Sequence, residues 1–142
     1  MKRRSVLALP AALALPAILS TRTRAQTKPT LAFVVNSPSD FWTIARRGIE
    51  KANREHPDYA MEMILPGQST AAEQRRIVDE LLVRKVAGIA ISPINPANST
   101  DMLTRAAAGT VLVTTDSDAP NSNRAVYIGT ENMVAGREAG AQ

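Results

Sequence analysis

The sequence has no cysteine, one histidine and five aromatic side chains in 142 residues. Without cysteine there can be no disulfide scaffold, thiolate metal site or cysteine nucleophile, and the lack suits an oxidising compartment in which stray thiols are hazards. The commonest general base is present only at His56, which falls at the far end of a helical pattern and reads as a solvent-facing helix-end residue. Glycine is missing where a phosphate would need it. The turn after the first apolar run of the main chain, Asn36-Ser-Pro-Ser-Asp40, has none, so neither a dinucleotide fingerprint nor a phosphate loop can form there. No apolar run can span a bilayer: Val6 to Leu19 has 14 residues, interrupted by Pro10 and Pro16, against the roughly 20 required.

What is present is unevenly spread. The formal charge is +4, but Lys2, Arg3, Arg4, Arg22 and Arg24 lie in the first 25 residues, which hold no acid. Residues 26 to 142 therefore carry 12 bases against 13 acids, and a basic nucleic-acid surface loses its support. Lys2-Arg-Arg4, the apolar run and the polar stretch Ser20 to Arg24 follow the three-part pattern of a secretory signal peptide. Thr23-Arg-Ala25 places small residues where a peptidase reads, so the expected leader is 1–25 and the mature part 26–142, with no stable membrane anchor after cleavage. Arg3-Arg-Ser-Val-Leu7 is similar to the start of a twin-arginine signal.

From Gln26 onward, apolar runs of about five residues alternate with helical patterns of about a dozen, the signature of an α/β fold with an open parallel sheet flanked by helices. Strands are expected at Leu31–Val35, Tyr59–Leu65, Ala87–Ser92, Val111–Thr115 and Ala125–Ile128. The continuous run Leu31-Ala-Phe-Val-Val35 predicts a strand covered by helices on both faces. The first helix spans about Phe41 to Glu55, with Phe41, Ile44, Ala45, Gly48, Ile49 and Ala52 on one stripe, Ser39 or Asp40 as its cap and Pro57 as its end. Thr70-Ala-Ala-Glu73 reads as a capping box opening a second helix with stripe Ile77, Val78, Leu81 and Leu82. A third helix is expected from Ser99 to Ala108, stopped by Gly109, and a fourth from Asn132 still running at Gln142, as if cut in mid-element.

In such a sheet a ligand sits outside the carboxyl ends of the strands. The loops there offer Asn36, Ser92, Asp116, Thr130 and Asn132, short donors and acceptors that suit a neutral polyol better than a phosphate. Phe41 and Trp42 stand at the same mouth, where a ring can pack on the C–H face of a sugar. Phe41 also fits the core stripe, whereas Trp42 lies off it and is the better candidate for ligand contact. Asp116 and Asp118 form a D-x-D pair that could hold a divalent cation, yet two carboxylates supply only part of an oxygen shell, and no metal or cofactor site is expected.

Four segments, Leu31 to Trp42, Gly88 to Pro96, Val113 to Asp118 and Tyr127 to Asn132, resemble in order and spacing the amino-terminal lobe of sugar-type periplasmic binding proteins related to ribose-binding protein. The resemblance implies a flavodoxin-like strand order and a monomeric, non-enzymatic receptor in the periplasm. It would close on a monosaccharide between two lobes and deliver it to the membrane subunits of an ABC importer. By position it makes Asn36 a polar contact, Phe41 and Trp42 stacking aromatics, Asp116 an acceptor for sugar hydroxyls, and Thr130 or Asn132 further contacts. Ribose-type members place an Asp-Arg pair where this chain has Asp116-Ser117, and the loop from Asn36 to Phe41 is one residue longer. The second lobe of the family is expected to be missing from these 142 residues. A sensory lobe serving a chemoreceptor or kinase would use the same pocket, and an Mg²⁺-dependent enzyme using Asp116 and Asp118 is a third reading.

Overall fold

The computed structural model describes residues 27–141; the expected leader lies outside them. Five strands and four helices alternate: β1 Thr30–Val34, α1 Phe41–Glu55, β2 Ala60–Ile64, α2 Ala71–Val83, β3 Gly88–Ile91, α3 Pro96–Gly109, β4 Val111–Thr115, β5 Val126–Ile128 and α4 Asn132–Gly140. All neighbouring strands are parallel, in the order β2-β1-β3-β4-β5. This is the expected open α/β sheet with flavodoxin-like order, and the direction in which strands are added reverses between β1 and β3. A crevice for ligand forms at such a switch point, because the loops leaving the two strands diverge.

The pleat divides each strand between two unlike faces. Ala32 and Val34, Ile89 and Ile91, and Leu112 meet Ile77, Val78 and Leu81 of α2 and Met102, Leu103 and Ala106 of α3 in one buried cluster. The alternate residues Leu31, Phe33, Gly88, Ala90, Val111 and Val113 line an open groove of about 560 Å³ flanked by Ile49 of α1. The expectation of helices over both faces of β1 therefore holds for one face and only in part for the other. The continuous apolar run arises because alternate residues serve the core and the groove, and both surfaces are apolar.

Element ends follow local chemistry. Contrary to the expected cap, neither Ser39 nor Asp40 closes α1 with its side chain; Asp40 is itself helical in backbone, and the first turn is closed by Trp42 N donating to Ser39 O and Thr43 N to Asp40 O. His56 is the exposed C-cap residue of α1. Half of the capping box forms: Thr70 Oγ1 accepts from Glu73 N at 3.2 Å, but Glu73 turns to Arg76, and Thr70 N finds Gln68 O instead. Helix α3 starts three residues earlier than expected because Asn95 caps it and Pro96, whose fixed φ suits a first turn, opens it. Helix α4 ends at Gly140 with Ala141 as its C-cap residue, and the expectation for Gln142 lies outside the described residues. On the edge strand β2, Asn53 of α1 completes a missing neighbour, donating to Met61 O at 2.7 Å and accepting from Met61 N at 2.8 Å.

Candidate functional site

The loops leaving β1, β3 and β4 bring Asn36, Ser92 and Asp116 into one hydrogen-bonded cluster. The ladder continues one residue past each of β1 and β3, with Val35 N donating to Ile64 O and Ser92 N to Val34 O, so the side chains there start from fixed backbone. Asn36 Nδ2 donates to Ser92 Oγ at 3.0 Å and to Asp116 Oδ2 at 3.3 Å, and Ser92 Oγ donates to the same Oδ2 at 3.0 Å. Asn36 Oδ1 accepts from Trp42 Nε1 and Ser37 Oγ, each at 3.2 Å. An indole N–H can only donate, so it determines which end of the Asn36 amide faces Trp42 and which faces the carboxylate.

Asp116 occupies the left-handed region, φ 62°, which Asp tolerates better than most residues but which still requires support. Its N donates to Ile128 O at 3.1 Å, and its carbonyl accepts from Tyr127 Oη at 2.9 Å. The same hydroxyl is placed 3.2 Å from Thr130 O, so Tyr127 ties the β4 and β5 loops together. Gly129 makes room for that hydroxyl, since a Cβ there would collide with Tyr127 Oη. Sequence reasoning missed both residues; the signal was a tyrosine two positions before a glycine at a strand end. Asp116 Oδ2 is fully engaged, while Oδ1 accepts no hydrogen bond among the described residues.

Beside this cluster lies an open depression of about 380 Å³, lined among others by Phe41, Trp42, Asp116 and Thr130. The two aromatics exchange the parts the helical period gave them. Phe41 is 66% exposed, whereas Trp42 is 4% exposed and edge-packed between Phe33 and Phe41, with ring centroids 5.7 and 4.9 Å away. Contrary to the expected core stripe, α1 buries only Trp42: Ile44 is 80% exposed and Gly48 is exposed with Phe41, so the stripe borders the open groove and Phe41 overhangs the depression while Trp42 folds under it. Trp42 thus retains little ring face for a ligand and serves to orient Asn36. Ser92 is fully buried, so its hydroxyl acts on Asp116 from beneath. Asn132, in the first turn of the exposed α4, makes no hydrogen bond to this cluster.

The D-x-D pair does not act as a pair. Asp118 turns away to Arg124, which reaches its two oxygens through Nε and through Nη2, the latter at 2.7 Å. Thr114 Oγ1 and Ala119 N add hydrogen bonds at 2.7 and 2.8 Å. These donors, Arg124 first, hold the Asp118 carboxyl down to about 2 from its ordinary 3.8, against the opposing effect of partial burial. Among the described residues no three His, Cys, Asp or Glu side chains converge to hold a metal ion.

The larger groove on the sheet face is lined mainly by aliphatic side chains and offers few partners for a polar ligand. The depression at the strand ends is smaller but has the convergent polar groups that fix a ligand's orientation.

Comparison with known proteins identifies the family of the fold. The family model described as Periplasmic binding protein domain matches residues 31–142. No curated protein matches the chain. Among solved structures, an ABC transporter solute-binding protein from Burkholderia graminis C4D1M in complex with D-arabinose superposes with TM-score 0.74 at 29% identity, over 80% of this chain and 39% of that one. AraP, an arabinose-binding protein from Geobacillus stearothermophilus, gives 0.71 at 32% identity over 80% and 40%, and GanP, a glucose-galactose binding protein from the same organism, 0.73 at 29% over 80% and 41%. The chain thus spans about two fifths of the length of the structures it matches.

Proposed function

The chain belongs to the periplasmic binding protein family, and we propose that it forms the first lobe of an exported solute-binding protein that captures a sugar or related neutral polyol for an ABC importer. The observation that carries this reading is the Asn36–Ser92–Asp116 cluster beside the exposed ring of Phe41. A carboxylate with one oxygen tied down and the other open is an acceptor for ligand hydroxyls, and its internal hydrogen bonds prevent it from rotating away. Phe41 supplies an apolar face for the ring carbons. The lining of the depression contains one carboxylate and no lysine or arginine, so an anionic sugar phosphate would meet repulsion without compensation.

Binding, in this reading, is a matter of two surfaces. The lobe presents its acceptors at the ends of β1, β3 and β4, and Thr130 and Asn132 extend the polar rim on the β5 side. A depression this open leaves most of a sugar in water, whereas good sites enclose roughly 70 to 90% of their ligand, so a second lobe closing over the first would complete the enclosure. Ser92, whose hydroxyl is paired with the Asp116 carboxylate, is fully buried and out of a ligand's reach, which favours capture over turnover. The leader 1–25 would take the protein to the periplasm, by the twin-arginine route if Arg3-Arg4 is read as its signal, and the carrier would act there as a monomer meeting the importer's membrane subunits.

A thermal-shift panel on the full-length protein tests the reading. Neutral monosaccharides should raise the melting temperature. A response confined to sugar phosphates, amino acids or divalent cations would contradict it.

A further inference from the structure

Gln74 lies in the first half of α2, where a glutamine in an amphipathic helix reads as a solvated residue, yet it is completely buried. Its amide is shared between the two strand ends that carry the site. Nε2 donates to Ser92 O at 2.8 Å and to Val35 O at 3.4 Å, and Oε1 accepts from Ile94 N at 3.0 Å. These backbone groups lie just past the ends of β1 and β3, where the sheet ladder no longer supplies partners, and an unpaired buried carbonyl is costly. Both donors and the acceptor of one amide are thus committed to the crevice floor.

Both tied carbonyls belong to or adjoin a residue of the site. Val35 precedes Asn36, and Ser92 is itself a member of the cluster. The spacing between the two loops determines whether Asn36 Nδ2 can reach Ser92 Oγ and Asp116 Oδ2 together, at 3.0 and 3.3 Å. Ile94 begins the segment leading to Asn95, the cap of α3. We infer that Gln74 is a positioning residue for the ligand site, setting the distance between the β1 and β3 loops from beneath without touching the ligand. This inference rests on the sugar-binding reading for its functional meaning, but its geometry can be tested separately.

The test uses Gln74→Met, which keeps length and volume but cannot donate, and Gln74→Asn, which keeps the amide on a shorter stem, both in the full-length protein. Two readouts are taken beside the melting temperature. One is the indole N–H resonance of Trp42, assigned by its loss in Trp42→Phe, which reports the hydrogen bond to Asn36 Oδ1. The other is the affinity for D-arabinose, D-glucose and D-galactose by calorimetry. Gln74→Met should move the indole resonance and weaken whichever sugar binds by about tenfold, with Gln74→Asn shifting both in the same direction by less. If Gln74→Met does not fold, Gln74→Asn alone decides. A variant that melts earlier while the indole resonance and affinity stay at wild-type values makes Gln74 a packing residue and overturns the inference. If the wild type binds no sugar, the functional reading fails, and the indole resonance still decides whether Gln74 sets the loop spacing.

Discussion

The two faces of the sheet are built from alternate residues of the same strands, yet they differ in kind. On one, Ile89, Ile91 and Leu112 are at most 1% exposed beneath α2 and α3; on the other, Val111 is 61% exposed beside an open groove. The difference shows that apolar character alone locates neither core nor site. The buried face is tightly packed and chemically inert, the open face is apolar and roomy, and the polar crevice lies at the edge where both end. Stability should therefore reside on the first face and recognition at the edge.

Cutting into the core face should have the largest effect. Ile91→Ala should cost about 2–5 kcal/mol in chemical denaturation, because it leaves a cavity that α2 and α3 cannot close. Val111→Ala, on the open face, should cost less than about 1 kcal/mol. Equal losses would break the comparison and mean that the groove is covered in solution.

Acid should act next, at the edge. The Asp118 carboxyl lies near 2 in the folded chain and at 3.8 ordinarily, so its pairing with Arg124 adds stability above about pH 3.8 and loses it as pH falls toward 2. A melting profile over that window should fall more steeply for wild type than for Asp118→Asn. Parallel profiles would mean that the pair does not hold the β4–β5 loop.

Gly129→Ala should displace the Tyr127 hydroxyl from Asp116 O and reduce affinity for ligand more than it lowers the melting temperature. The smallest effect belongs far from both faces. Arg76, solvated on α2 between Glu73 and Glu80, should give no resolvable change in melting temperature as Arg76→Ala.

How much of this was legible in the sequence depends on what determines each feature. Periodicity and turn residues are local, so all nine elements and a parallel sheet could be read and the strand-end loops named as the site, whereas the order of the strands came only with the family resemblance. The cluster Asn36, Ser92 and Asp116 was legible because fold and residue chemistry coincide there. The reversal of Phe41 and Trp42 was not, since the helical period marks an apolar stripe without saying whether anything covers it, and along α1 that stripe borders the open groove. Gln74 was hidden for the opposite reason: its partners are backbone groups 18 and 39 positions away, and backbone leaves no mark in sequence. That Asp118 turns from Asp116 to Arg124, six residues on, was hidden as well, because the D-x-D spacing does not say which way each carboxylate faces.

The central claim is that the Asp116 carboxylate, anchored by Asn36 and Ser92, accepts the hydroxyls of a neutral sugar. Titration calorimetry of full-length wild type and Asp116→Ala against a panel of neutral monosaccharides tests it most directly. At least one sugar should bind the wild type and lose about tenfold or more in affinity to Asp116→Ala, compared at a temperature where both proteins are folded, since alanine at φ 62° and the unpaired Ser92 hydroxyl should also lower the melting temperature. Binding of equal strength by both proteins, or no binding by the wild type to any sugar, would contradict it.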